Sequence, residues 1–167
     1  MIPEVVTERL RLRAFRDDDL DAFAAIVGDE ETARHIGGVR DRDEAWRAIA
    51  MYLGHWELRG HGQWAVERRE DARLVGRCGL WFPEGWPELE VGWTFSREVW
   101  GNGYATEAGR ASMDWAASAL GLTRIASVIG EPNVRSVAVA ERLGMTFDRR
   151  VTLMGGPALL YARPLPR

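Results

Sequence analysis

The chain contains one cysteine, Cys78, and no lysine, since all 22 basic residues are arginine. A single thiol excludes an intrachain disulfide framework and most cysteine-based metal sites, and makes the cytoplasm the expected compartment. Without a lysine amine, Schiff-base chemistry is excluded. The sequence offers no run of the roughly 20 apolar residues that a membrane helix needs. Its opening, MIPEVVTERLRLR, has no long apolar stretch behind a basic start, so no signal peptide is expected. Excess positive charge is also missing. A net charge of −3 leaves nothing to neutralise a phosphate backbone, so no nucleic-acid partner is expected. The three histidines, His35, His55 and His61, lack ligand spacing, and no metal site is expected.

What remains is ordinary globular material: 167 residues, 46% apolar and 28% charged, with no repeat or linker. That length suits one domain over residues 1–167. Leu10 and Leu12 alternate with arginines in TERLRLRAF, the period of a half-buried strand. Next, Leu20, Phe23, Ala24 and Val27 form a helical stripe behind the acidic Asp17–Asp19 start, with Gly28 as its expected stop. A second helix is predicted from Asp43 to Leu58, with Trp46, Ile49, Leu53 and Trp56 on one face and Gly60 beyond its end. Gln63–Arg68, Leu74–Phe82 and Leu89–Phe95 read as strands joined by tight turns, an antiparallel meander. A long helix follows to Leu120, with Ala105, Ala108, Ser112, Trp115 and Ala119 facing the sheet. Ile125–Ile129 is a strand, Pro132-Asn133 opens a helix that ends at Gly144, and Met145–Val151 and Leu159–Arg163 are the last strands. The C-terminal MGGPALLYAR is expected to close the sheet. Strand, crossover helix and strand in the second half imply one parallel pair inside a mostly antiparallel sheet. Helices should cover both faces, giving a three-layer α/β/α fold.

The most informative stretch is SREVWGNGYATEA, between a strand and a helix. Glycines there let backbone N–H groups converge, and the helix N-terminus adds partial positive charge, which makes a phosphate cradle without a basic side chain. A turn that only joins strand to helix is the alternative. The loop has neither the Lys-Ser/Thr of a P-loop nor the third-glycine spacing of a dinucleotide fingerprint.

WGNGYATEA resembles the pyrophosphate loop of GNAT acetyltransferases, whose pattern is Q/R-x-x-G-x-G/A. Trp100 stands in the Q/R place, Gly103 is the central glycine and Ala105 the last small residue. Tryptophan there is familiar in the RimJ/RimL-type subgroup, which acetylates protein N-termini and small amines. TERLRLRAF, ELEVGWTF and NVRSVAVAERLGM resemble that subgroup's first strand, fourth strand and second coenzyme-A-contacting helix, in the right order, with Met145 for the usual Phe.

The resemblance implies an acetyl-CoA-dependent N-acetyltransferase in which a primary amine attacks the thioester directly. The acceptor would be a small-molecule amine or a peptide N-terminus, with no membrane partner, and a homodimer is common in the family. Such an amine, with a pKa of about 10, must lose a proton before it can attack. Glu90 stands where relatives carry a general base; an exposed or ion-paired strand residue is the plainer reading. On a regular strand Glu88 would share its face. The position of the family's usual acid, a tyrosine, is Ala140, which leaves the Ser136 hydroxyl or solvent to protonate the thiolate. The resemblance assigns cofactor contacts to Trp93, Thr94 and Phe95 on a strand that splays from its neighbour. It assigns further contacts to Trp100, Gly101, Asn102, Gly103, Tyr104, Ala105 and Thr106 in the loop, and to Asn133 and Ser136. Cys78 is expected to be buried and Trp46, Trp56 and Trp115 to lie in the core, while Trp81, Trp86 and Trp93, near the turn and strands before the loop, are candidates to line the acceptor pocket. Tyr161 either reaches the site or packs. A sensor that binds acetyl-CoA without turnover is the competing function.

Overall fold

A computed structural model describes residues 1–166. In it the chain runs β1 (Val5–Val6), β2 (Leu10–Arg13), α1 (Leu20–Gly28), α2 (Glu30–Ala33), α3 (Arg42–Arg59), β3 (Gln63–Arg68), β4 (Arg73–Trp81), β5 (Glu90–Phe95), α4 (Tyr104–Leu120), β6 (Arg124–Gly130), α5 (Val134–Arg142), β7 (Thr146–Leu153) and β8 (Gly156–Pro164). The strands form one sheet in the order β1-β2-β3-β4-β5-β6-β8-β7. Every neighbouring pair is antiparallel except β5 and β6. The C-terminal strand does not close the sheet at an edge: β8 is inserted between β6 and β7, and β7 is the edge. This is the expected α/β arrangement, a mixed and mostly antiparallel sheet with helices on both faces.

The strand period decides which side chains meet which helices. Leu80, Cys78 and Val91 point to the α4 and α5 side, in a core with Ala108, Met113, Ala116 and Ala140. Ala65 points the other way, into a core with Phe23 and Val27 of α1 and Ala45, Ala48, Ile49 and Tyr52 of α3. Cys78 is buried as expected, its Sγ 3.6 Å from Ser112 Oγ, and burial pushes its thiol up to about 12.

Two helix faces differ from the sequence expectation. On α3 the buried residues are Ala45, Ala48, Ile49, Tyr52, His55 and Trp56, while Trp46 is 52% exposed. Both stripes have helical spacing. The one with two alanines packs because small side chains let α3 approach α1 closely. On α4 the inward residues are Ala108, Gly109, Ser112, Met113 and Ala116, and Ala119 is exposed. Trp115 is half-buried, edge-on to Trp56 and Trp64 at 5.4 and 5.2 Å. Asp41 and Glu44 form a reciprocal N-terminal cap on α3 (2.8 and 3.0 Å), and Gly60 ends it in the left-handed region. Helix α1 ends at Gly28 as expected, and Asp29 then caps α2 by accepting from the Thr32 N–H.

One buried charge cluster ties the N-terminal half together. Arg13, 4% exposed, donates from Nη1 and Nη2 to the two oxygens of Asp19 at 2.8 Å each, and from Nε to Glu67 Oε2 at 2.7 Å. Asp19 also accepts from the Arg16 N–H at 2.8 Å. Strands β2 and β3 and the acidic turn before α1 thereby share one satisfied ion network.

Candidate active site

The functional geometry begins where β5 and β6 part. The two parallel strands are in register at Glu90 and Ala126 only, although both continue beyond that point. The resulting fork opens toward the loop before α4 on one side and the start of α5 on the other.

Glu90 occupies the crotch of this fork. Its residue is 6% exposed. Oε2 accepts from the Val128 N–H of β6 at 2.6 Å, and Oε1 accepts from Trp86 Nε1 at 3.1 Å. The carboxylate therefore takes up one of the backbone donors that the splay leaves without a strand partner. Burial raises its pKa from the ordinary 4.5 to about 7, against the opposing pull of the Val128 N–H, the Arg77 charge and the Trp86 N–H. The exposed or ion-paired reading of Glu90 is thus wrong. Glu88, outside β5, is the ion-paired one, accepting from Arg124 and Arg149 at 3.0 and 3.1 Å.

Alternation along β5 puts Glu90, Gly92 and Thr94 on the α1/α3 face and Val91, Trp93 and Phe95 on the α4/α5 face. Trp93 Nε1 donates to Ser136 Oγ across the fork at 3.3 Å. Because an indole only donates, the Ser136 hydroxyl keeps its own proton for another acceptor. Asn133 caps α5, its Oδ1 accepting from the Ser136 N–H at 3.2 Å. The Thr94 side chain faces away from the loop, and its buried hydroxyl has no partner. The Phe95 side chain is in the core, and its carbonyl accepts from Trp100 Nε1 at 2.9 Å.

In the loop, Gly101 and Gly103 have φ of 81° and 79°, which suits glycine, and Gly103 is the N-cap of α4. The first-turn N–H groups of Tyr104, Ala105 and Thr106 have no intrahelical partner. Asn102 braces the turn by donating to the Val99 carbonyl at 3.0 Å, and its own carbonyl accepts from Arg9 at 2.9 Å. The Arg135 guanidinium lies 4.4 Å from the Trp100 ring centroid, and that of Arg9 lies 4.7 Å from the Tyr104 ring centroid. Thr106 has a buried hydroxyl with no partner. These donors and the open fork suit a pyrophosphate and an extended pantetheine-like arm. A concavity of about 650 Å³ beside α4 takes Arg9, Gly103 and Thr106 from this set and is otherwise lined by residues outside it.

On the Glu90 face, sequence reasoning misses two residues. Gln63, 1% exposed, accepts from Arg77 Nη1 at 2.9 Å and donates to the Gly79 carbonyl at 2.9 Å. The one signal for Arg77 is a charge at an inward position of an internal strand, set between Gly76 and Gly79. Among the expected tryptophans, Trp86 touches Glu90, and Trp81 packs at 5.5 Å on Tyr52 and 4.5 Å on His55. His55 braces this wall: Nδ1–H donates to the His61 carbonyl at 2.7 Å, and Nε2 accepts from the Phe82 N–H at 3.2 Å. Tyr161 packs in the core.

Comparison with known proteins agrees with this fold. The model of the acetyltransferase (GNAT) domain matches residues 9–146. The chain is 29% identical over 164 residues to the uncharacterized protein YkkB of Bacillus subtilis (strain 168), covering 96% of this chain and 95% of that one. It is 29% identical over 147 residues to the uncharacterized N-acetyltransferase YoaA of the same organism, covering 86% and 83%. An acetyltransferase crystal structure from Agrobacterium tumefaciens str. C58 superposes with a TM-score of 0.89 at 32% identity, covering 98% of this chain and 95% of that chain. A fold this close, matched from the start of β2 into β7, makes the chain a member of the GNAT acetyltransferase family and an enzyme of the acyltransferase class.

Proposed function

We propose that this protein, as one catalytic unit, transfers an acetyl group from acetyl-CoA to a primary amine, with Glu90 as the general base. The observation that carries this reading is the buried Glu90 carboxyl at the strand fork, with a pKa of about 7. A carboxylate poised there accepts a proton near neutral pH, where an ordinary glutamate is too weak a base. Both its oxygens already accept one hydrogen bond, and each keeps acceptor capacity for the amine or a bridging water. The thioester, when bound, supplies an activated acyl carbon and a thiolate leaving group. The first-turn amides of α4 and the Gly101–Gly103 backbone hold the pyrophosphate. The Trp93–Phe95 backbone pairs with the pantetheine arm, and Ser136, oriented by Trp93 and Asn133, gives the departing sulfur its proton. Base and acid then stand on opposite faces of the sheet, facing each other through the fork.

The acceptor is a small amine or a protein N-terminus of the RimJ/RimL type. The latter draws support from a likeness in fold to RimL, a ribosomal alpha-N-protein acetyltransferase solved with coenzyme A (TM-score 0.79, 19% identity). The test is acetyl-CoA-dependent thiol release with peptides of varied N-termini, polyamines, aminoglycosides and amino acids. Release with one class, lost in Glu90→Gln, supports the reading. Acetyl-CoA binding by calorimetry without release from any amine would replace it with a sensor.

A further inference from the structure

Beside Glu90 lies a guanidinium with too few partners. Arg77 is half-buried on the α1/α3 face of β4. An arginine carries five N–H donors. The protein satisfies one with Gln63 Oε1, at 2.9 Å, and sets the Tyr52 ring 5.4 Å from the guanidinium carbon. No carboxylate lies within salt-bridge distance of Arg77 among the described residues, although Arg13 on β2 has two. Thr94, the register partner of Arg77 on β5, leaves its hydroxyl unpaired and does not fill the gap. Held in place by a buried glutamine, with only the deeply buried Glu90 carboxyl as a nearby opposite charge, the guanidinium has donors free to receive an anion.

The location says which anion. Gly92 forms an open floor. A methyl placed on it would meet Glu90 Oε1 at 3.7 Å, Gln63 Nε2 at 3.8 Å and Arg77 Nη1 at 3.9 Å. A carboxylate, an amide and a guanidinium thus converge above Gly92, with room for at least a methyl among them. A ligand there presents a positive or proton-donating group to Glu90 and a negative one to Arg77, a few ångströms apart.

We propose that the acceptor carries a carboxylate close to its primary amine, and that Arg77 binds this carboxylate while Glu90 takes the amine proton. This rests on the acyl-transfer reading above and narrows its substrate class. The amine nitrogen forms a bond to the acetyl carbon as the carbon–sulfur bond breaks. One amine proton passes to Glu90, and the sulfur leaves with a proton from Ser136, which regains one from solvent as Glu90 releases its own. Two sources share the required chemistry: a free amino acid, with its α-carboxylate, and a peptide whose first residue is Asp or Glu.

Paired acceptors that differ only in that group provide the test: amino acids against their amides, and C-terminally amidated peptides starting with Asp or Glu against those starting with Asn or Gln. The wild type should favour the carboxylate member of one pairing by about 10- to 100-fold in kcat/KM, mainly through KM. The pairing that discriminates identifies the source. Arg77→Met should abolish the preference and Arg77→Lys restore part of it, with acetyl-CoA affinity unchanged by calorimetry. Gly92→Ala, which adds a methyl at ordinary contact distance, should raise KM for the same acceptors while thermal unfolding stays close to wild type. Equal rates within every wild-type pair, or a preference that survives Arg77→Met, would overturn the inference and leave acyl transfer standing. No turnover of any amine would overturn both.

Discussion

Two arginines point inward from this sheet, and their surroundings differ completely. Arg13 has a bidentate bond to Asp19 and a third bond to Glu67. Arg77 has a glutamine oxygen and a tyrosine ring. The first is a closed network in which Arg11 also reaches Glu67, at 3.5 Å, so that two guanidiniums balance two carboxylates within the protein. The second sits beside a carboxylate that is itself too buried to ionise easily. Polar groups that exhaust one another hold a fold together, whereas polar groups left short of partners mark the place for something that arrives later.

If the contrast holds, stability and turnover separate by site. Asp19→Ala, which leaves Arg13 buried and half-paired, should cost about 3 kcal/mol or more in chemical denaturation. At temperatures where the variant is folded, its turnover per folded molecule should match wild type. A loss of turnover without a loss of stability would break the comparison. Glu90→Gln should behave in the opposite way, with turnover down about 10²-fold or more and no loss of stability at pH 8. The sign follows from the raised pKa: between 4.5 and about 7 the folded protein keeps a proton that the unfolded chain has released, so stability falls as pH rises through that window. Glutamine removes that slope, which urea titrations at pH 5 and pH 8 would show.

The same titration governs activity. The base works as the carboxylate, so kcat/KM should drop about tenfold per pH unit below roughly 7 and level off above it. A profile flat from pH 5 to 8 would remove Glu90 from the proton transfer. The smallest expected effect is Ser136→Ala, about tenfold in turnover. It also strips Trp93 Nε1 of its acceptor. Intact turnover would hand protonation of the thiolate to solvent.

Much of the fold is legible in the residue pattern. The meander strands fall within a residue or two of their predicted ends, because short, largely apolar runs bounded by turn formers leave little choice. The glycine loop is legible because two residues that favour positive φ stand directly before a helical pattern. Helix α3 is misread at Trp46 because it carries two apolar stripes. Periodicity marks both, and only the partner helix selects the alanine side. Arg77 and Gln63 escape notice because each is ordinary in its own segment, 14 positions apart, and gains meaning only when β3 and β4 pair.

The order of strands and helices, apart from the short β1 and α2, the glycine turn before α4 and the strand that bears Glu90 are written in the linear chain. Short-range backbone preference and hydrophobic period set them, and both survive without any distant contact. Other features exist only in the folded molecule. Strands β5 and β6 part after a single paired residue, and β8 slips between β6 and β7. Packing drives water from Glu90 and leaves Arg77 short of a carboxylate. Register, burial and the count of unsatisfied donors depend on groups far apart in sequence, and no local pattern encodes them.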